Sequence, residues 1–198
     1  MIKVIINEKE YDFPTEWKDL KLNAYERLVD ARNLYDENAK IRSLCHMAAS
    51  ILNIPIKELY FTETTEFEKI VNALQFLETD MSKVYEGDTV EICGETYFIK
   101  KDLEKLNVGE VISFEIFCQD NATVVSMIAP SLALLLRKDL SADFDSDNYV
   151  DFVKLIKENV DVETATGVTL FFWNLGTNYT IDSPLSLTQE KEEAGENL

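Results

Sequence analysis

The chain has 198 residues, of which 46% are hydrophobic, with 11 Phe and 8 Tyr, enough apolar surface for the core of one domain or of two small packed halves. Its 37 acidic residues against 19 basic ones give a formal net charge of −18 at pH 7, a field that repels phosphate backbones and argues against nucleic-acid binding. The longest apolar run, Leu132 to Leu136, lies between Pro130 and Arg137-Lys138-Asp139, far short of the roughly 20 residues a membrane helix needs.

Met1-Ile2-Lys3-Val4-Ile5-Ile6 meets the polar Asn7-Glu8-Lys9-Glu10 at once and lacks the pattern of a signal peptide, so secretion by that route is not expected. Cys45, Cys93 and Cys118 are odd in number and widely spaced, which suits a reducing compartment. The sequons at Asn121 and Asn178 are read there as chance matches.

Val4, Ile6, Tyr11 and Phe13 alternate around Asn7 to Glu10, which predicts a β-hairpin. The same grammar returns at Val90, Ile92, Tyr97 and Ile99 around Cys93-Gly94-Glu95, and Val4, Ile6 and Tyr11 match Val90, Ile92 and Tyr97 at a constant offset of 86. After each hairpin come Lys-Asp-Leu and then Lys-Leu-Asn-x-x-Glu, as Lys18 to Glu26 and as Lys101 to Glu110, the second copy carrying one extra residue between the two elements. Asn followed three residues later by Glu is a variant of the capping box, so helices are expected to begin near Asn23 and near Asn107. An internal duplication and a chance match of common residues both remain open.

In the first half, Leu22, Tyr25, Leu28 and Val29 share a helical face. A second helix is expected from about Ala39 to Asn53, with Ile41, Leu44, Cys45, Ala48, Ile51 and Leu52 inward and Pro55 closing it. A third, near Thr65 to Leu77, carries Phe67, Ile70, Val71, Leu74 and Leu77. In the second half, Val111 to Cys118 has both strand and helix character, and the cap before it favours helix. Helices follow at about Val124 to Arg137, where Pro130 marks either a kink or the true start, and near Tyr149 to Glu158. Val168 to Trp173 reads as a buried strand or as mid-helix, and residues 187–198 as a disordered acidic tail. The expected fold is α+β: a mainly helical body with two β-hairpins, residues 1–85 and 86–180 forming halves packed as one unit.

The chemistry of sites is sparse. The one histidine, His46, falls on the polar side of its helix, and the neighbouring Cys45 points elsewhere, so neither a catalytic pair nor an acid-base centre is expected. No zinc spacing and no phosphate-cradling glycine loop occurs. Asp143-x-Asp145-x-Asp147 with Asp151 matches part of a calcium loop, but Asn148 replaces the turn glycine and Lys154 stands where a bidentate Glu closes the shell. That segment is read instead as an Asp-rich loop capping the next helix. No carboxylate pair is singled out, and the expectation is a protein without catalytic, cofactor or metal sites that acts by binding other chains.

The pattern Phe13-Pro14-Thr15-x-Trp17-x-x-Leu20-x-Leu22-x-x-Tyr25-x-x-Leu28, then Ile92-x-Gly94-x-x-Tyr97, Leu106-Asn107-x-Gly109-Glu110, an apolar helix ending Leu135-Leu136-Arg137 and a late Phe171-Phe172 resembles a group of tailed-bacteriophage proteins of about this length. Those proteins sit among virion-morphogenesis genes and are regarded as tail-assembly chaperone-like or minor structural proteins. The likeness covers about residues 1 to 175, and Lys138 stands where a proline often follows the Leu-Leu-Arg element. It implies a non-enzymatic tail or virion assembly factor in the host cytoplasm or the virion, with other phage structural or tail proteins as partners. Trp17, Tyr25, Phe171, Phe172 and Trp173 are the candidate anchors for such a partner, since aromatic residues dominate interface hot spots. The alternatives are a structural virion component and an acidic DNA mimic directed at a host defence enzyme.

Overall fold

The computed structural model describes residues 1–34, 36–81, 83–102, 106–110, 112–113, 123–141 and 144–170. The chain is α+β, with two small antiparallel sheets set against a mainly helical body. Strands β1 (Ile2–Ile6) and β2 (Lys9–Phe13) pair with Val4 opposite Tyr11, and β3 (Thr89–Ile92) and β4 (Glu95–Ile99) pair with Val90 opposite Tyr97. Both turns hold their two central residues at positive φ, 50° and 64° at Asn7 and Glu8, 54° and 78° at Cys93 and Gly94. This is the tight turn whose twist matches that of the flanking strands. Alternation then buries Val4, Ile6 and Phe13 in one hairpin and Val90, Ile92, Tyr97 and Ile99 in the other, and leaves Tyr11 half-buried.

Around the first hairpin pack α1 (Leu22–Asn33), α2 (Lys40–Leu52), the short α3 (Ile56–Leu59) and α4 (Thr64–Ala73), which continues as a 3-10 turn, Leu74–Glu78. Asn53 ends α2 in the left-handed conformation, its N–H reaching the Ala49 carbonyl, and Pro55 starts α3. Ile41, expected inward, is 70% exposed. It sits in the first turn of α2, where the apolar stripe runs past the end of the core. Trp17, Leu20, Leu28, Cys45, Ala48, Leu59, Ile70 and Phe76 belong to one continuous core with the first hairpin.

The second hairpin is covered by α6 (Ile128–Leu135) and α7 (Tyr149–Asn159), and the helical residues 108–110 and 112–113 form α5. The expected helix 124–137 is corrected at both ends. Val125–Met127 form a 3-10 turn, and Leu136–Arg137 leave the helix as a third strand, β5, opposite Ile99 and Phe98. Lys100 N–H donates to the Leu135 carbonyl at 2.7 Å, so the sheet takes up backbone groups that the helix would otherwise leave unpaired. Pro130 occupies the first turn of α6, where its missing N–H costs nothing. The described part of 168–173, through Leu170, is helical and belongs to α8, residues 162–170.

The two predicted caps behave differently. Asn107 and Glu110 form a reciprocal box: the Asn107 side chain accepts from Glu110 N–H at 2.9 Å, and Glu110 accepts from Asn107 N–H at 2.5 Å. Asn23 lies inside α1, whose N-cap is Lys21 without a side-chain bond. Backbone contacts hold that entry instead. Leu22 N–H donates to Val160 O at 3.1 Å and Val162 N–H to Leu20 O at 2.9 Å, while Asp161 caps α8 by accepting Thr164 N–H at 2.8 Å. The exchange is reciprocal in packing as well, because Leu22 is buried in the second core and Val162 in the first.

Candidate docking groove at the seam of the two cores

Tyr25 on α1 packs against both cores and lines an apolar groove of about 280 Å³. Met81, Val124, Val125, Ile128 and Leu170 supply the rest of its apolar wall, together with Thr166 and Thr169. Both threonines spend their hydroxyls on their own helix, Thr166 on Val162 O at 2.6 Å and Thr169 on Ala165 O at 2.8 Å. The groove is therefore a surface for apolar matter. Burial pushes the Tyr25 phenol up from its ordinary pKa, with Arg32 pulling the other way, so the ring stays neutral.

The segment between the halves lies against the same helix. Tyr85 N–H donates to Gly167 O at 3.2 Å and its hydroxyl to Thr89 O at 2.8 Å. A Cβ at Gly167 would stand 2.8 Å from Lys83 O and 3.1 Å from Tyr85 N, so glycine at this point is what lets the crossing segment touch α8.

Of the five candidate anchors, Tyr25 lies in the groove. Trp17 is interior: it is 7% exposed, meets the Phe76 and Tyr25 rings edge-on with centroids 5.0 and 5.9 Å away, and donates its indole N–H to Thr79 O and Oγ1 at 3.2 and 3.1 Å. Its polar edge is satisfied and its faces are covered. Phe171, Phe172 and Trp173 lie outside the described residues, as do residues 187–198. Met81, Val125, Ile128, Thr166 and Thr169 were not singled out in the sequence. The signal was present in α8, where Val162, Ala165 and Val168 mark the buried stripe and Thr166 and Leu170 fall beside it at helical spacing.

A second, charged cleft of about 880 Å³ is built on the other side of the second sheet by Phe98, Lys100, Asn107, Glu110, Leu140 and Phe144. Glu110 is 1% exposed and accepts from Lys100 Nζ at 3.0 and 3.1 Å and from the Arg137 guanidinium. Arg137 also donates to the Ala133 and Leu136 carbonyls and lies over the Phe144 ring, 5.1 Å from its centroid. Burial pushes the Glu110 carboxyl up, but the Asn107 N–H, Lys100 and Arg137 outweigh it and hold the pKa below the usual value. The polar groups of this floor answer one another, and its geometry is that of a brace joining α5, β4 and β5.

His46 is half-buried at an open cleft beside Arg27, which donates to Ser50 O. Burial pushes the Cys45 thiol up, away from a reactive thiolate. In the Asp-rich loop, Asp145 accepts from the Asn148 backbone at 3.2 Å and side chain at 2.7 Å, one turn before α7, whose N-cap Asn148 makes no side-chain bond to the helix. Asp143 lies outside the described residues, among which no cluster of His, Cys, Asp and Glu is arranged to hold a metal and no helix is long and apolar enough to cross a membrane. No family model, no curated protein and no solved structure matches the chain.

Proposed function

We propose that this chain is a non-enzymatic assembly factor of a tailed bacteriophage, chaperone-like, that binds another virion or tail protein in the host cytoplasm. The observation that carries this reading is the Tyr25 groove: an apolar concavity at the seam of two cores, whose two wall threonines already bond within their own helix. A partner's apolar side chains gain burial there without stranding either threonine hydroxyl. The sequence resemblance supplies the biological setting, and the acidic surface favours encounter with a basic partner.

Co-expression with the neighbouring reading frames and affinity purification tests this. A neighbour should co-purify or gain solubility. Val124→Glu, at a rim position that is 62% exposed, should weaken that capture about tenfold or more while leaving the fold intact. If no neighbour is captured, or if capture ignores Val124→Glu, the reading is wrong in partner or in site. Abundance at fixed stoichiometry in purified particles would favour a structural virion component over a chaperone.

A further inference from the structure

The two hairpins share one register but differ at an edge. In the second, the outer edge of β4 carries β5, with Phe98 opposite Arg137 and Lys100 N–H given to Leu135 O. Counting back 86 residues places Asp12 where Phe98 stands and Pro14 where Lys100 stands. Among the described residues the first sheet ends at β2. The two-residue turn closed by Ile6 and Lys9 directs the backbone groups of Lys9, Tyr11 and Phe13 into the hairpin and those of Glu10 and Asp12 outward. The opposite edge follows the same alternation, since Ile5 N–H leaves the hairpin to reach Glu66 Oε2 at 3.0 Å. Glu10 and Asp12 are both exposed.

We infer that the β2 edge accepts a short extended segment of another protein as a third strand, and that this segment alternates apolar and basic residues. The sister hairpin shows that the edge geometry accommodates such a strand. On the solvent face Glu10 and Asp12 share one cation, Lys3, at 3.1 and 2.8 Å, which leaves a carboxylate in excess for a Lys or Arg on the incoming strand. On the core face the accessible neighbour is the half-buried Tyr11, which calls for an apolar side chain. A second copy of this chain is a poor occupant, because antiparallel pairing of two β2 edges sets Glu10 and Asp12 of one copy against those of the other. Pro14 has no N–H to offer, so pairing stops at Phe13 and the added strand is short. This surface is separate from the Tyr25 groove and does not depend on it.

The test uses the full chain, labelled with ¹⁵N, and an eight-residue peptide alternating Lys and Val. Binding should slow hydrogen exchange of the Glu10 and Asp12 amides by about tenfold or more, as pairing removes them from water. The same peptide N-methylated along its pairing edge should fail to bind, as should a Glu and Val peptide. The double variant Glu10→Lys, Asp12→Lys should reverse the preference between the two peptides. Equal binding by the N-methylated peptide, protection that maps to Tyr25 and Leu170 instead of β2, or unchanged charge preference in the double variant would each overturn the inference. The N-methylated control needs no altered protein, so it decides the matter even if the variant misfolds.

Discussion

Strands β1 and β2 and strands β3 and β4 agree in register, in turn conformation and in the burial of alternate residues, yet among the described residues only the second pair continues into a third strand. The divergence begins at one residue. Lys100 gives its N–H to Leu135 and its ammonium group to Glu110, so backbone and side chain of the same residue fasten β5 and α5 to the hairpin. Pro14 has neither group to give, and the first hairpin is instead covered by α2 and α4, with the acids Glu10 and Asp12 along its β2 edge. Identical local pairing therefore leaves sheet size undetermined. The edge is settled by whether the next residue carries a donor and by what the chain brings back to meet it.

The largest effect should come from removing the brace that distinguishes the second hairpin. Glu110→Ala leaves Lys100 and Arg137 without their shared carboxylate and should cost about 3 kcal/mol or more, measured by urea denaturation. A loss under about 0.5 kcal/mol, the level of an ordinary surface change, would show that the brace is dispensable. The same residue sets an acid limb. Its folded pKa is lowered, so its stabilisation is present above the unfolded value of about 4.3 and is lost as the pH falls through the folded pKa. Glu110→Gln should flatten that limb.

Next in size is the contact between the halves. On helix propensity alone Gly167→Ala should stabilise α8 by about 1 kcal/mol. The crowding against Lys83 O and Tyr85 N should reverse the sign, giving a net loss of about 1 to 3 kcal/mol in thermal or chemical unfolding. A rise in melting temperature would mean that the crossing segment yields easily.

The two turns offer a direct exchange. Glu8 holds φ 64° with a side chain, where the second hairpin places Gly94 at φ 78°. Glu8→Gly should therefore stabilise by up to about 1 kcal/mol, and Gly94→Ala should destabilise by a similar amount, since no atom crowds that position and only the left-handed backbone resists. Equal signs for the two variants would break the equivalence of the turns. The smallest response is expected from calcium. The loop before α7 should bind it no better than about millimolar by calorimetry, because Lys154 replaces the ligand that closes such a shell.

Much of the local structure was legible. Period-two alternation around short polar turns marked both hairpins, and helical spacing marked α1, α2, α4 and α7, because these depend on residues within a few positions of one another. The Asn107 and Glu110 box was readable for the same reason, while the matching signal at Asn23 marked the start of α1 but not its cap, since that entry is held by a backbone bridge to Val160, 138 residues away from Leu22. Trp17 was legible as an aromatic worth attention, but only packing could assign it to the interior, through Thr79 and Phe76. Of the groove, the sequence marked Tyr25 and, within the apolar block Val168 to Trp173, Leu170, but not their meeting, since they and Met81 and Ile128 come from segments that meet only in the folded chain.

By itself, the sequence determined the α+β class, the existence of both hairpins and most helix positions, since each is a short-range consequence of side-chain period, turn chemistry and capping, whereas the register was set by turns shorter than the polar runs, with Lys9 and Glu10 already in β2 and Glu95 in β4. Tertiary structure alone decided that Leu136 and Arg137 leave their helix for a sheet, that Glu110 is buried between two cations, and that Leu22 and Val162 exchange cores. Those outcomes turn on unpaired backbone groups and charges finding partners far along the chain, and no local pattern encodes which partner will arrive.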